Sequence, residues 1–330
     1  MKMHRALTAC FLLGIASTSA SAADKVRVRL NWMYYGSHAG FTLGKDKGIY
    51  EKYGIDLDIR SGNGSGSAHR LVANGDSTFS YGSCASMVNL ASQGAPLMSV
   101  AVIDAEGTDG ILVRPDAGVK TVADLSGKLL LTTANAGVNT FFPLVLRNAK
   151  VAEGSVKIVN VAEGALITGY LQKSGGAVGM LGGLDDKPSE IVAAGGEKPI
   201  GLSYADYGVT QVGYCIVGNT ALLAKSPDLA KRFVTATIEA YKLTEADPKA
   251  AVAVMADVVG GTMNEQKGKD QALDVLNVTL GVLYSKANTS KKLGLHVASD
   301  WDAMLDLMKT YNNLKTDKPA SAFYTNDFLP

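Results

Sequence analysis

Alternation of strand-like and helix-like runs is the feature that most restricts the fold of this 330-residue chain. The segment KVRVRLNW, residues 25–32, alternates polar and apolar side chains as a strand does. The segment HAGFTLGKDKGIYEKYG, residues 38–54, spaces Phe41, Leu43 and Ile49 at near-helical intervals. The same order continues to about residue 103 and restarts near residue 120. This pattern predicts an α/β protein with largely parallel, helix-covered sheets.

The second α/β unit is followed by helix-like segments that bring no strand pattern of their own. These segments need an apolar surface to cover, and the first unit offers one. We therefore predict two lobes joined by crossing strands near Ile111–Arg114 and Tyr214–Gly218, with a cleft between them. The first lobe covers residues 23–115 and 214–330, including the C-terminal helices, and the second lobe covers residues 116–213.

The N-terminus has the pattern of a cleaved signal peptide at residues 1–22. MKMHR is basic, ALTACFLLGIA is apolar, and the small residues ASA precede Ala23. The apolar run is shorter than the ~20 residues of a membrane span. This pattern predicts export to the periplasm.

Charge and cysteine content restrict the function classes further. The chain has 32 Lys and Arg against 31 Asp and Glu, with no block of like charge, so it lacks a footprint for nucleic acid or an anionic membrane. Its His and Cys residues show no metal-ligand spacing, and we expect neither a metal nor a cofactor. Cys84 and Cys215 remain after signal cleavage. A bridge between them is possible, but two buried free thiols are the favoured expectation.

Loops that follow the strands carry the candidate binding residues, because ligands of open α/β sheets lie beyond the carboxyl ends of the strands. The first loop offers Trp32, Tyr34 and Tyr35 as flat faces for a planar molecule. Core packing is the alternative for Trp32, and helix capping is the alternative for His38. The glycine- and serine-rich loops let backbone N–H groups approach a ligand.

Two segments resemble known functional motifs, but each lacks a part that the motif requires. GNGSG, residues 62–66, resembles a dinucleotide loop, but Ser67 stands where the last glycine is required. YGSCAS, residues 81–86, resembles the start of a helix with a nucleophilic Cys84, but no His–acid pair is visible to activate it. Asp104, Glu106 and Asp109 could form an acid patch at the hinge, but solvated loop charges are the favoured interpretation.

Three segments resemble the periplasmic substrate-binding proteins of ABC importers for nitrate, sulfonates, taurine and thiamine pyrimidine precursors, the NMT1/SsuA-like family. They are LNWMYYGSHAGFTLGKDKGIYEKYGIDLDI (residues 30–59), LVANGDSTFSYGSCASMV (residues 71–88) and VKTVADLSGKLLL (residues 119–131). The resemblance implies the type II periplasmic-binding fold, which closes on a ligand and presents both lobes to a membrane permease. Pyrimidine-binding members show Trp-x-Pro-Asn-x-x-His, whereas Tyr34 and Tyr35 replace the Pro-Asn here.

We therefore expect a non-catalytic, monomeric receptor for a small planar organic ligand: an aromatic carboxylate, a sulfonate or a pyrimidine-like molecule, with nitrate also open. The alternative is an exported enzyme that uses Cys84 or acidic residues. Stacking is expected from Trp32, Tyr34 and Tyr35, and pairing with a ligand anion from Arg114. Hydrogen bonds are expected from Ser37, His38, Ser65, Gly66, Ser67, Ser83, Cys84 and Ala85 of the first lobe and from Asn135, Asn139, Gly182 and Gly183 of the second.

Overall fold

The computed structural model describes residues 22–330 except Asn135, Thr140 and Glu153. The predicted signal peptide, apart from its last position, lies outside the described residues. The strands are β1 Asp24–Arg29, β2 Ile55–Arg60, β3 Phe79–Ser83, β4 Leu97–Val102, β5 Asp109–Val113, β6 Leu129–Thr133, β7 Lys157–Val161, β8 Gly179–Gly183, β9 Ile200–Ser203 and β10 Tyr214–Asn219. The helices are α1 Ala39–Asp46, α2 Ile49–Lys52, α3 Ser65–Ala73, α4 Cys84–Ser92, α5 Phe142–Asn148, α6 Leu166–Leu171, α7 Lys187–Ala193, α8 Thr220–Lys225, α9 Pro227–Ala246, α10 Pro248–Val259, α11 Gln266–Gly281 and α12 Ala298–Tyr311.

The strands form two five-stranded sheets, with the orders β2-β1-β3-β10-β4 and β7-β6-β8-β5-β9. Both sheets are mixed rather than largely parallel. β10 runs antiparallel to β3 and β4, and β5 runs antiparallel to β8 and β9. Each of these strands is the first strand along the chain after it crosses from the other lobe. The chain enters the sheet at the carboxyl ends of the parallel strands, so the new strand must run in the opposite direction.

The predicted alternation in β1 is present and explains how the first sheet is covered. Val26 and Val28 are fully buried and alternate with the half-buried Arg27 and Arg29. At the next strand, β3, the ring of Phe79 stacks on Phe233 of α9 with 4.2 Å between centroids. The apolar face of the sheet therefore packs directly against the C-terminal helices.

Helix ends follow the local signals in the sequence, with one difference. The predicted helix at residues 38–54 is divided into α1 and α2, because Gly48 adopts a left-handed conformation with φ 66°. α9 and α10 both begin at the predicted prolines. Asp124 completes the predicted capping box by accepting a hydrogen bond from the backbone N–H of Thr121 at 2.9 Å.

The chain crosses between the lobes within residues 103–108 and returns within residues 204–213. The first crossing lies before the predicted boundary at 115/116. β5 belongs entirely to the second sheet and β10 entirely to the first, so neither strand spans both lobes. The two crossing segments pair with each other: Gly107 N–H donates to Gln211 O at 2.8 Å, and Gly213 N–H donates to Asp104 O at 3.0 Å. A Cβ at Gly213 would lie 2.8 Å from two backbone carbonyl oxygens, so this close pairing requires glycine.

The C-terminal helices α9, α10 and α11 pack on the first lobe, as predicted. α1 lies against α9 and α10, with Phe41 and Tyr241 in edge-to-face contact at 5.6 Å. The chain end covers the outer edge of the first sheet: Ser99 of β4 accepts from Thr325 N–H at 3.0 Å and donates its own N–H to Phe323 O at 2.9 Å. The edge strand β4 is therefore not exposed to another chain along this stretch.

Candidate functional site

A cleft of about 930 Å³ lies between the lobes, where all strands except β5 and β10 reach their carboxyl ends. Its walls come from the first loop, the starts of α3 and α4, both crossing segments and the ends of β6 and β8. The lobes also touch away from the crossing segments. Gln271 of α11 donates to Ser189 O of α7 at 3.2 Å, and Lys267 donates to Ala193 O at 2.6 Å.

Trp32 and Tyr35 of the first loop line the cleft. Trp32 is 43% exposed, although tryptophan is the largest apolar side chain. The core-packing alternative for Trp32 is therefore wrong. Tyr214, at the start of β10, adds a third aromatic ring to the lining.

The other predicted residues of the first loop lie behind this wall rather than in it. Tyr34 turns away and donates its hydroxyl to Ile59 O at 3.2 Å. Ser37 is fully buried, and its hydroxyl lies 2.6 Å from the hydroxyl of Thr279 in α11. These two side chains attach the loop to the lobe.

His38 orients Tyr35 through a chain of hydrogen bonds. Its Nε2 lies 2.7 Å from Asn31 Oδ1, and Asn31 Nδ2 donates to the Tyr35 hydroxyl at 3.2 Å. Burial lowers the pKa of His38 to about 3, so the ring is neutral at physiological pH. Nδ1 accepts from the Tyr35 backbone N–H at 3.4 Å, which leaves Nε2 to donate to Asn31. His38 therefore positions a cleft residue without lining the cleft.

The glycine- and serine-rich loops of the first lobe reach the cleft in part. Ser65, Gly66, Ser83 and Ala85 line it. The Ser65 hydroxyl accepts from Ser83 N–H at 3.0 Å, and the Ser83 hydroxyl accepts from Ser86 N–H at 3.3 Å. These hydroxyls hold the starts of α3 and α4 in place.

Ser67 and Cys84 do not line the cleft. The Ser67 hydroxyl donates within its own loop, to Asn63 Oδ1 at 2.5 Å. Cys84 is fully buried and forms a disulfide with Cys215, whose Cα lies 5.5 Å away. The expectation of two free thiols is therefore wrong. The sequence did not reveal this pairing, because β10 returns beside β3 only after the chain has built the second lobe.

The second lobe contributes Asn139, Gly182 and Gly183 to the lining. Both polar groups of Asn139 are bonded within the lobe: Oδ1 accepts from the Thr132 hydroxyl at 2.5 Å, and Nδ2 donates to Thr133 O at 2.9 Å. Asn135 lies outside the described residues.

Arg114 is not in the cleft. It follows β5 at the end of the strand remote from the cleft, donates to Asp116 at 2.9 Å and contacts the backbone oxygen of Ala177. The prediction treated Arg114 as part of a crossing strand, but the crossing lies several residues earlier.

Carboxylates of the cleft are a feature that the sequence analysis gave only as the less favoured interpretation, an acid patch at the hinge. Five acidic side chains from both lobes line the cleft, and Lys187 is the only basic side chain among the described lining residues. Lys187 already forms salt bridges with two acids near it in the sequence, at 3.0 Å to Asp186 and 2.9 Å to Glu190. The lining acids are Asp104, Glu106, Asp109, Asp185 and Asp186.

Burial shifts the titration of three of these acids. Burial, and to a lesser extent the nearby Asp185, raises the pKa of Asp104 well above its ordinary value. A hydrogen bond from Tyr81 acts in the opposite direction but is the smaller effect. Burial, then Asp186, raises the pKa of Asp185 to about 7. Burial also raises the pKa of Asp109 to about 6, although Gln211 donates to it at 2.6 Å. These acids are not the solvated loop charges of the prediction. Their positions two residues beyond β4 and β8, for Asp104 and Asp185, were a usable signal.

Metal and membrane features are absent from the part of the chain that the structure describes. No three His, Cys, Asp or Glu side chains there converge as metal ligands would. Nor is any helix among those residues both long and apolar enough to cross a bilayer.

Two α/β lobes are joined by two crossing segments, and a cleft lies between them at the carboxyl ends of their strands. This arrangement defines a protein of the periplasmic-binding-protein fold. Solved structures agree on this fold. The aliphatic sulphonate binding protein SsuA from Escherichia coli has a TM-score of 0.70 at 17% identity, over 91% of this chain and 97% of SsuA. The nitrate-binding protein NrtA from Synechocystis PCC 6803 has a TM-score of 0.66 at 13% identity, over 93% of this chain and 87% of NrtA.

The chain belongs to the NMT1/THI5-like family, whose model matches residues 36–251. Among its relatives is a putative binding protein from Brucella abortus, 21% identical over 319 residues, which are 94% of this chain and 94% of the relative. The predicted fold class and family are confirmed.

Proposed function

We propose that this protein is a periplasmic solute receptor of an ABC importer, which holds a small planar organic molecule between its lobes and delivers it to a membrane permease. The observation that carries the proposal is the cleft of about 930 Å³, lined by strand ends of both sheets. This volume suits a drug-sized or smaller molecule. A molecule that contacts both lobes at once binds their closed arrangement better, and it shifts the hinge equilibrium towards closure.

A planar ligand is supported by the aromatic side chains of the lining. Trp32 presents an exposed indole at the cleft, and the rings of Tyr35 and Tyr214 lie in the same lining. Burying such faces against a flat molecule removes apolar surface from water, at roughly 25 cal/mol per Å². Stacking of this kind tolerates many ring systems, so it selects shape more than chemical identity.

The acids of the cleft narrow the expected ligand classes. An aromatic carboxylate, a sulfonate or nitrate would bring a negative charge among carboxylates, with Lys187 already paired to two acids. Like charges repel in a partly desolvated site, so an anion would bind only while these acids are protonated. Arg114, which was expected to pair with an anion, lies outside the cleft. The pyrimidine-like class is therefore the member of the original set that fits.

The enzyme alternative rested on Cys84 or on acidic residues of the cleft, and it loses the Cys84 nucleophile. The Cys84 sulfur is bonded to Cys215, and a disulfide sulfur is not the thiolate that nucleophilic catalysis needs. The acidic half of this alternative predicts turnover of the bound molecule, and the assay below measures that turnover.

A thermal-shift screen at neutral pH tests the receptor function. The panel contains pyrimidines, aromatic amines, aromatic acids, sulfonates and nitrate, and each sample is also assayed for turnover by mass spectrometry. A receptor is stabilised by roughly 2.7 kcal/mol at a ligand concentration of 100 times Kd, and its ligand is recovered unchanged. A protein that converts the ligand, or that no solute stabilises, contradicts the proposal.

Tryptophan fluorescence tests the location of the ligand. The chain has two tryptophans, and Trp301 is only 1% exposed. Binding is expected to change the emission of the wild type, whereas Trp32→Phe, measured at saturating ligand, is expected to show no change. A response that persists in Trp32→Phe comes from Trp301 and would remove Trp32 from the binding site.

A further inference from the structure

Each lobe places a buried carboxylate in the lining of the cleft. Asp104 follows β4 of the first lobe and is 1% exposed, while Asp185 follows β8 of the second lobe and is 6% exposed. Both line the cleft, and Asp185 adds to the effect of burial in raising the pKa of Asp104. Both acids also act on Tyr35. Burial has the largest effect in raising the pKa of its hydroxyl, and Asp185 and Asp104 raise it further.

Neither carboxylate has a basic partner among the described residues. Asp104 accepts from the hydroxyl of Tyr81 at 3.2 and 3.3 Å, and Asp185 accepts from the hydroxyl of Thr108 at 2.9 Å. No Lys, Arg or His in the described ranges forms an ion pair with either acid. A buried carboxylate either pairs with a cation or takes up a proton, since a neutral donor does not replace hydration.

We propose, on the basis of the receptor function above, that the ligand carries a positively charged nitrogen group, an ammonium or amidinium, which lies between Asp104 and Asp185. This group supplies the missing partner of both acids in a single position. Its hydrogen bonds to carboxylates are charge-assisted, and these are stronger than bonds between neutral groups.

Features beside the acids favour an organic cation over a metal ion. No three acidic, His or Cys side chains converge on one point within the described part of the chain, as a metal would require. Aromatic rings of Tyr35 and Tyr214 lie in the same lining and offer cation–π contacts. Trp32 provides the face for a planar body attached to the charge.

The same arrangement couples charge to lobe closure. Without a cation, the two acids repel each other when both are ionised, and this repulsion opposes the approach of the lobes. A cation between them reverses the sign of the interaction across the cleft and favours the closed arrangement. A neutral ligand of the same shape would gain the stacking but not this attraction.

A probe series on one ring tests the proposal with the mature chain at pH 8. The cationic probes are benzylamine and benzamidine, the neutral probes are benzyl alcohol and benzamide, and the anionic probes are benzoate and benzenesulfonate. Affinity is measured by calorimetry and closure by small-angle scattering. We expect the cations to bind at least 10-fold more tightly than their neutral counterparts and to reduce the radius of gyration.

Variants identify the acids that hold the charge. Asp104→Asn and Asp185→Asn keep the shape and an acceptor oxygen, and each is expected to weaken cation binding by 10- to 100-fold. Asp56→Asn, on the exposed face of β2, is the matched control and should bind like the wild type. Melting curves establish that every variant is folded.

The outcomes separate this inference from the receptor function. The cationic ligand is refuted if neutral or anionic probes bind as well as the cations, or if cation binding is unchanged in both cleft variants. Neither outcome contradicts the receptor function. If neither these probes nor any solute of the wider screen binds, the receptor function falls and this inference falls with it.

Discussion

Removing the Asp185 charge should change how the stability of the ligand-free protein depends on pH. Burial, then the nearby Asp186, raises the pKa of Asp185 to about 7 from an ordinary value of 3.8. A difference of about three pH units corresponds to roughly 4 kcal/mol, at 1.36 kcal/mol for each unit. Asp104 and Asp109 share this titration, so the protons belong to the cluster as a whole.

The direction in which the free energy of unfolding changes with pH depends on whether the folded or the unfolded state binds the proton more tightly. The raised pKa means that the folded protein binds the proton of Asp185 more strongly than the unfolded chain does. The free energy of unfolding is therefore greatest below about pH 4 for this group, and it falls as the pH rises towards 7. Above pH 7 the folded protein carries the full cost of a buried charge.

In Asp185→Asn this loss should largely disappear, because Asn carries no charge and still accepts from the Thr108 hydroxyl. We expect the variant to exceed the wild type by roughly 2–4 kcal/mol at pH 8, and by little at pH 4.5. Urea unfolding followed by circular dichroism at pH 4.5, 6 and 8 measures this difference, which corresponds to a midpoint change of about 1 M or more.

The exposed Asp56→Asn serves as the control and should follow the wild type at every pH. Parallel pH profiles for Asp185→Asn and the wild type would refute the reasoning. So would a variant that is less stable than the wild type at pH 8, since the charge would then be compensated within the protein.

Further predictions concern the cleft wall, the disulfide and a close contact. Trp32→Ala should weaken ligand binding by about 10-fold and change stability by less than about 0.5 kcal/mol, because the side chain is 43% exposed; calorimetry and melting curves measure both. Replacing Cys84 and Cys215 by Ala should lower the free energy of unfolding by about 2–5 kcal/mol, since the bridge closes a loop of 131 residues; urea unfolding with and without reductant gives the value, and an unchanged midpoint would contradict it. Gly36→Ala should destabilise by about 3 kcal/mol, because its Cβ would overlap backbone atoms of α11, whereas Gly281→Ala has open space and should be tolerated.

Much of the fold could be predicted from short segments. Helix starts at Pro227 and Pro248 and the capping box at Thr121 depend on residues within one turn of each other. The alternation in β1 depends on neighbours along one strand. The sheets proved mixed because the direction of β5 and β10 depends on where the chain crosses, which no local pattern records.

The candidate site was predicted only in part, for a related reason. The rule that ligands lie beyond strand ends correctly placed Trp32 and Tyr35 at the cleft. It did not decide between Tyr34 and Tyr35, which point in different directions, nor did it show that His38 lies behind the wall. These choices depend on the packing of α11 and of Asn31 around the loop.

The sequence by itself determined the order of strands and helices and the loops that form the cleft wall, because steric and hydrogen-bonding preferences act between near neighbours. Only the tertiary structure decided the charge of the cleft and the partner of Cys84. Asp104 and Asp185 lie on different lobes, and Cys84 and Cys215 are 131 positions apart. Electrostatic energy depends on distance and burial in the folded chain, and neither quantity exists until the lobes are assembled.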